Sequence, residues 1–377
     1  MSRTLVCLMA LAMALPAQQT LVVSPSGPFT EIVAAINTAK PGDTILVRAG
    51  QYQNFTVSKP LRILADPGVT LQGSRSATFQ VRDLPAGAPV VIRGIALADV
   101  SAFFPASIIL SGCAGPVHLE NITMTGRYVF TQVFDCAQVS LHRSTLGTVH
   151  TSDSNVLCTD TQAFGLAASS VGPGDPALRI DNSRVVVAGG NFRGGDGHPF
   201  APTPPGPGIR LESGRLVLTG DASTVVASGT PTTGTSIAVS AIDSAAGAIL
   251  LDPGPTLVPG GGAPPIAGGA LVTASAVPAL TVHVAAPTMT TTLRGPGGDH
   301  AFVLASPIGP PLPFPTLDLW VGVGHIVIGQ GPIPATGVLT GSVNLPPLFP
   351  GTTSPVQAVV LSGGQLQLSN PVMTRWD

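Results

Sequence analysis

Charge is what this sequence most conspicuously lacks. Only 10% of its 377 residues are Asp, Glu, Lys or Arg, 17 basic against 19 acidic, and the net charge is −2; soluble domains usually carry roughly 25%. Without a basic field nothing holds a phosphate backbone, so nucleic acid is excluded as a partner. Lysine is confined to Lys40 and Lys59. Aromatic residues make up 5%, with two Trp and two Tyr, which leaves few platforms for stacking sugar rings. Four cysteines are too few for a disulfide scaffold. Cys113, Cys136 and Cys158 stand 23 and 22 residues apart, unlike the ligands of a zinc cage. No glycine-rich phosphate loop opens a helix. Hydrophobic residues, at 44%, are by contrast ample for a core. Forty-five glycines and 38 prolines predict many turns and few helices.

The chain opens with Arg3, an apolar run from Leu5 to Leu15, and small or polar residues around Ala17. This is the pattern of a secretory signal peptide over residues 1–17. The run falls short of the roughly 20 apolar residues of a membrane span and stops at Pro16. A secreted or cell-surface protein is expected, with no membrane span after signal removal. Cys7 leaves with the signal, and an oxidising compartment allows the three remaining cysteines one internal bridge at most.

Thr30 is placed to cap a short helix whose apolar positions Ile32, Ala35, Ile36 and Ala39 share one face, and Lys40-Pro41-Gly42 stops it. Short strand-like runs follow at Thr44–Arg48, Phe55–Val57, Leu61–Leu64 and Val69–Leu71. A loose internal repeat then emerges. Alternating apolar pairs occur at Val90/Ile92, Val117/Leu119, Val139/Leu141, Phe164/Leu166, Val185/Val187 and Leu216/Leu218, spaced 27, 22, 25, 21 and 31 residues apart. Five residues after each of the first five pairs comes another apolar residue, at Leu97, Met124, Leu146, Val171 and Phe192. Nine before its second member comes a third, at Leu110, Leu157, Leu178 and Ile209, with Gln132 the exception. Three apolar positions per turn of chain, separated by polar or glycine corners, describe a solenoid with parallel pairing between coils. A Greek-key sandwich is the alternative, but it has no reason to repeat in stacked columns.

The segment from Phe29 to Gly73 carries a capping helix, Pro41-Gly42-Asp43-Thr44-Ile45, Ala49-Gly50-Gln51-Tyr52 and Asp66-Pro67-Gly68-Val69. It resembles the first coil of right-handed parallel β-helices of the pectin-lyase-like superfamily. With the repeats, the resemblance covers roughly residues 20–280. It implies an all-β fold: a right-handed parallel β-helix with an N-terminal capping helix over residues 18–282. Residues 251–268 are nearly all Gly, Pro and small apolar residues, a rim or boundary. Alternating segments then return at Leu317–Val323, His325–Ile328, Val338–Val343, Val356–Leu361 and Gln365–Leu368, which suit a small β-sandwich-like domain over 283–377. The ending Leu366-Gln367-Leu368-Ser369-Asn370-Pro371-Val372 resembles a β-rich C-terminal module seen on secreted bacterial proteins.

Six residues before the repeat anchors stand Asp135, Asp160, Asp181 and Glu212, which on successive coils would form a column of carboxylates. Such a column must fan into water, pair with cations or bind metal. Leu178-Arg179-Ile180-Asp181 and Ile209-Arg210-Leu211-Glu212 are near copies, each followed by a further arginine, Arg184 or Arg215. Arginines flanking carboxylates resemble the calcium-and-arginine arrangement of pectate lyases, so calcium is the metal this column would take; no other cofactor is expected. Asp196-Gly197-His198 and Asp299-His300 put Asp near His, but in Gly/Pro turns. His118 and His142 should point outward as surface residues. Cys113 and Cys136 fall near one corner of adjacent coils, inside the separation a disulfide tolerates, with Cys158 displaced and buried.

Closely spaced Asp-Asp or Gly-His-Gly signatures, which mark the catalytic members of the superfamily, do not occur. The sequence therefore favours a structural, adhesive or polysaccharide-binding protein whose partner is extracellular polysaccharide or cell-surface matrix. A polysaccharide lyase or glycoside hydrolase acting on acidic polysaccharide, calcium-dependent in the lyase case, is the alternative.

Overall fold

The computed structural model describes residues 18–376 except 74–75, 99–105, 170–171, 199, 201–202, 232–236, 275, 286–287, 307, 313–318, 322–324 and 345–351. Residues 1–17, where a signal peptide is expected, and Val171 lie outside the described residues. The chain is 59% strand and 2% helix. Its first two-thirds form a 17-stranded parallel sheet that folds around a corner and a nine-stranded parallel sheet that closes the third side.

Register shows why the chain coils. Ile45, Ile63, Ile92, Leu119, Leu141, Cys158, Val187, Leu218 and Leu251 are successive partners across adjacent strands, so one apolar column runs through the interior. All but the last are fully buried. Each such side chain contributes roughly 1.5–3 kcal/mol by leaving water. Column stacking lets coils of very different length share one core, because only the strand residues must align.

That freedom defeats one sequence expectation. The pair Phe164/Leu166 is not in the column. Val156 and Cys158 take its place, opposite Val139 and Leu141 on one side and Val185 and Val187 on the other. Leu166 lies half-buried in a loop instead. The coil from Leu141 to Cys158 has almost no loops. The next leaves the strand Asn155–Phe164 and returns only at Leu178–Asp181, so an averaged period misplaces the pair.

The helix Ile32–Thr38 buries Ile32, Ala35 and Ile36 against the first coil, as the apolar spacing requires. Its N-cap is Glu31 rather than Thr30, with no side-chain capping bond. Burial on the first coil, not the cap, holds it. The strand Thr20–Val23 adds one more parallel rung at this end.

The last parallel strand is Leu271–Ala274, and the following strand, Ala279–Ala285, already pairs antiparallel with Thr288–Arg294. The expected boundary at 282/283 thus cuts a strand, and the architecture changes between residues 274 and 279. Antiparallel sheets of three and five strands share an apolar core that includes Leu280, Met289, Leu293, Val303, Val356 and Val360.

This C-terminal unit lies flat against the solenoid. Leu157, Val186, Val217 and Leu250, the outward residues of four successive coils, pack with Leu304, Leu319, Trp320, Leu368 and Met373. Gln357 fixes the contact from within. Its side-chain oxygen accepts from the Trp320 backbone N–H at 2.8 Å, and its amide nitrogen donates to the Ser369 carbonyl at 2.8 Å.

Candidate functional site

The four expected carboxylates separate into three places. Asp181 and Glu212 are neighbours on the nine-stranded sheet, one residue beyond the pairs Arg179/Arg210 and Ile180/Leu211. Glu212 Oε1 lies 3.2 Å from Arg179 Nη2 and 3.4 Å from Arg210 Nε, while Arg210 Nη2 reaches Asp243 at 3.4 Å. Asp181 accepts a hydrogen bond from Ser213 at 2.8 Å. This is a half-exposed ion ladder whose charges already satisfy one another, of the kind worth about 0–1 kcal/mol per pair.

Asp135 falls elsewhere. Its neighbour Phe134 pairs with Ser152, and Ser152 with Asp181, so Asp135 aligns with Asp153 and Asn182, one step past Asp181. Asp83, Asp135, Asp153 and Asn182 all turn the chain with left-handed φ of 42–51°, a conformation that Asn and Asp tolerate better than most residues. Arg184 and Arg215 are register partners on the 17-stranded sheet, away from this ladder.

Asp160 belongs to a different corner, where the 17-stranded sheet bends. Gly94, Asn121, Arg143, Asp160, Gly189 and Gly220 occupy that corner on successive coils, every one with positive φ. Two consequences follow from the glycines. A Cβ on Gly189 would stand 2.5 Å from Asp160 Oδ1, so its absence leaves the carboxylate room. On the next coil the chain bulges out through Gly220, Asp221, Ala222 and Ser223 where the previous coil has Gly189 alone. The bulge puts Asp221 at the rim.

Across from this corner stand residues 279–284 and 370–375 of the C-terminal unit, and a cleft of about 480 Å³ lies between them. Asn370 positions both parts of that wall, accepting from the Leu280 N–H at 2.7 Å and donating to the Leu280 carbonyl at 3.0 Å. The charged or titratable lining comprises Glu120, Arg143, Asp160, Asp221, His283 and Arg375. Burial lifts the Asp160 carboxyl above its usual range; Arg143 opposes the lift and Asp221 adds to it. Asp221 moves the other way, drawn down chiefly by hydrogen bonds from Ser223, whose N–H donates at 2.8 Å. Two carboxylates of unequal acidity therefore line one cleft. Asp160 and the Gly220 corner are two rungs apart, roughly 10 Å along the axis at the usual strand spacing.

Behind the cleft, His118 and His142 point outward as expected but are not surface residues, because the C-terminal unit covers them completely. The rings lie 6.4 Å apart. His142 Nδ1 shares a 2.7 Å hydrogen bond with the Thr159 hydroxyl; His142 Nε2 and both His118 nitrogens have no hydrogen-bond partner among the described residues, and His118 Nε2 lies 3.7 Å from Glu120 Oε2. Burial, reinforced by His118, holds His142 down to about 3. Burial works against ionised Glu120, but His118, the Thr353 hydroxyl donating at 2.9 Å, and His142 outweigh it, leaving that carboxyl at about 2. Among the described residues no group of three or more His, Cys, Asp or Glu converges as a metal site would require. The carboxylates are dispersed over three places, so the calcium expectation gains no ligand set.

The remaining sequence candidates are structural. Asp196 Oδ1 accepts from the Thr230 N–H at 2.8 Å, the Thr230 hydroxyl at 2.6 Å and Arg193 at 2.7 Å, tying one loop to the next. Asp299 sits in a turn whose carbonyl accepts from the Ile333 N–H at 2.7 Å. Cys113 and Cys136 are register partners, but both are free thiols, as is Cys158. A hydrogen bond shared between the first two draws the Cys113 thiol down and pushes Cys136 up. Cys158 lies on another face, not around the same corner, and burial raises its thiol to about 12.

No protein-family model matches this chain, and no curated protein does. Among solved structures, the multi-modular cell-surface-expressed chitinase ChiW from Paenibacillus sp. str. FPU-7 aligns at 10% identity with a TM-score of 0.15. The alignment covers 95% of this chain and 23% of that protein. A superposition so loose carries no argument about fold or activity.

Proposed function

We propose that this chain is an exported, right-handed parallel β-helix of pectin-lyase-like type, with a capping helix and a C-terminal β-sandwich module, that binds extracellular polysaccharide without cleaving it. The observation that carries the reading is the cleft between solenoid and module. Its volume of about 480 Å³ falls within the usual range for small-ligand sites, roughly 300–1,000 Å³. Arg143 and Arg375 balance Asp160 and Asp221. With Glu120 the cleft holds three carboxylates against two arginines, and interleaved donors and acceptors with no excess of positive charge suit the hydroxyls of a neutral glycan better than a uronate.

The hydrolytic alternative has one observation in its favour, the unequal acidities of Asp160 and Asp221. Their separation of two rungs is at the outer limit for a paired acid and base, about 6.5–9.5 Å in inverting glycosidases. Calorimetric titration of the mature protein against neutral and uronate oligosaccharides separates these readings, alongside an assay for new reducing ends. Binding of a neutral oligosaccharide is expected without new ends, weakened about ten-fold by Arg143→Ala, the loss of roughly one charged hydrogen bond. Absence of binding to every glycan would defeat the proposal; new reducing ends that vanish in Asp160→Asn would establish the alternative.

A further inference from the structure

The two ends of the solenoid are not alike. At the start, the strand Thr20–Val23 and the helix Ile32–Thr38 cover the first coil. At the far end the final strands are Thr256–Val258, Ile266–Gly268 and Leu271–Ala274, one for each side of the coil. Each pairs with the preceding coil alone, and no described strand pairs with its outer edge. Three short rows of backbone N–H and C=O groups therefore face outward together.

The core is open at the same place. Val226, Ile242 and Ile249 are inward residues of the preceding coil and are at most 1% exposed. Their partners on the last rung are Leu257, Ile266 and Val272. Leu257 and Ile266 are only partly buried, and Val272 is 43% exposed, next to Leu271 at 71%. Natural sheet edges are ordinarily guarded by charge, especially lysine. Here residues 253–282 contain no Asp, Glu, Lys or Arg at all.

The geometry points to a second copy of this chain as the partner of that end, in a tail-to-tail homodimer. At the start Thr20–Val23, Gly50–Tyr52 and Phe55–Val57 likewise pair with one described strand each, but the helix Ile32–Thr38 lies across the core there with Ile32, Ala35 and Ile36 buried; a copy stacked head to tail could not continue the apolar core, and the contact that does is isologous. A two-fold axis perpendicular to the solenoid, passing through the Leu271–Ala274 side, sets that strand antiparallel to its own copy. The same axis brings Thr256–Val258 opposite the partner's Ile266–Gly268 strand. All three edges become paired, and Leu257, Ile266 and Val272 close a core continuous through both subunits. An isologous contact brings identical groups together, so like charges at this end would repel; an uncharged end meets that requirement. None of Thr256–Val258, Ile266–Gly268 or Leu271–Ala274 lines the cleft, so the inference does not rest on the glycan reading.

Sedimentation of the mature full-length chain over a concentration series tests the inference, with amide exchange read across residues 256–274. The expected result is a reversible monomer–dimer equilibrium, with slower exchange of Leu271–Ala274 in the dimer. Leu271→Lys and Val272→Lys should each raise the dissociation constant ten-fold or more while leaving the circular dichroism spectrum unchanged. Leu271 is the safer of the two because it is already mostly in water. A strict monomer at the highest soluble concentration would overturn the inference, as would open-ended polymers or a dimer indifferent to Leu271→Lys.

Discussion

Gly189 is the position where backbone geometry and the cleft can be separated by one methyl group. It has φ of +87°, and a Cβ there would meet Asp160 Oδ1 at 2.5 Å and the Asp160 nitrogen at 3.2 Å. Gly189→Ala therefore carries two effects. A left-handed conformation costs alanine roughly 1–2 kcal/mol, and the methyl displaces the Asp160 carboxylate by about an ångström to restore ordinary contact. The first effect lowers stability; the second removes a charged hydrogen-bonding group from the ligand's reach. Such a bond is worth about 1.5–3 kcal/mol, a loss of roughly ten- to a hundred-fold in affinity.

Two neighbouring cases calibrate the result. Gly298 has φ of +94° and nothing within 4 Å of its virtual Cβ, so Gly298→Ala measures the backbone cost alone. Gly190 would place its Cβ 1.9 Å from the Thr161 carbonyl oxygen, a backbone clash that no side-chain rotation relieves. Melting and oligosaccharide titration should give a clear order. Gly298→Ala loses a little stability and no binding, Gly189→Ala loses similar stability and most binding, and Gly190→Ala fails to fold. Unchanged glycan affinity in Gly189→Ala would refute the placement of Asp160 in the binding site.

Leu141→Asp should yield insoluble or unfolded protein, because it puts a carboxylate into a fully buried apolar column. Leu166→Asp lies off that column and should remain soluble with an unchanged β spectrum; insolubility would restore the averaged repeat. Both His142 and Glu120 have folded proton affinities depressed below their unfolded ones, from 6.5 to about 3 and from 4.5 to about 2. Their contribution is thus present above the unfolded values and is lost as pH falls through each interval. Chemical denaturation between pH 6 and 4 should lose about 1.4 kcal/mol per pH unit from His142 alone, and a slope unaltered by His142→Gln would contradict its buried neutral state. Mild oxidation should link Cys113 to Cys136 and leave Cys158 unreactive under native conditions; peptide mapping that finds Cys136 joined to Cys158 would contradict the register.

The coil architecture was legible because it rests on local pattern. Val117/Leu119 and Val139/Leu141 announce inward columns by alternation alone, and the observed register pairs them as expected. Coil length was not legible. Loops between columns are unconstrained by the core, so the short coil ending at Cys158 and the long one after it displaced Phe164/Leu166. The same error misplaced Asp160, which was counted from Leu166, whereas Asp135 is off by one because the corner between it and the correctly placed Leu141 is one residue longer than the corner between its register partner Asn182 and Val187. Asp181 and Glu212 survived as neighbours because their coils are near copies.

The cleft was hidden for a different reason: half of its wall comes from residues 279–284 and 370–375, outside the coil repeat. A signal for it was nevertheless present in the strands. A coil with one face in water should read apolar-polar-apolar, as Leu178-Arg179-Ile180 and Ile209-Arg210-Leu211 do. Val156-Leu157-Cys158, Val185-Val186-Val187, Leu216-Val217-Leu218 and Ile249-Leu250-Leu251 instead put an apolar residue at the outward position too, four coils in succession. Unbroken apolar runs mean burial on both faces, so these four strands required a cover before the cover was known. Two coils earlier in the stack the outward row reads His118 and Ser140, polar yet fully buried. The cover therefore extends from the apolar part of the face over polar side chains, and the corner beside them, at Asn121, Arg143 and Asp160, borders the cleft.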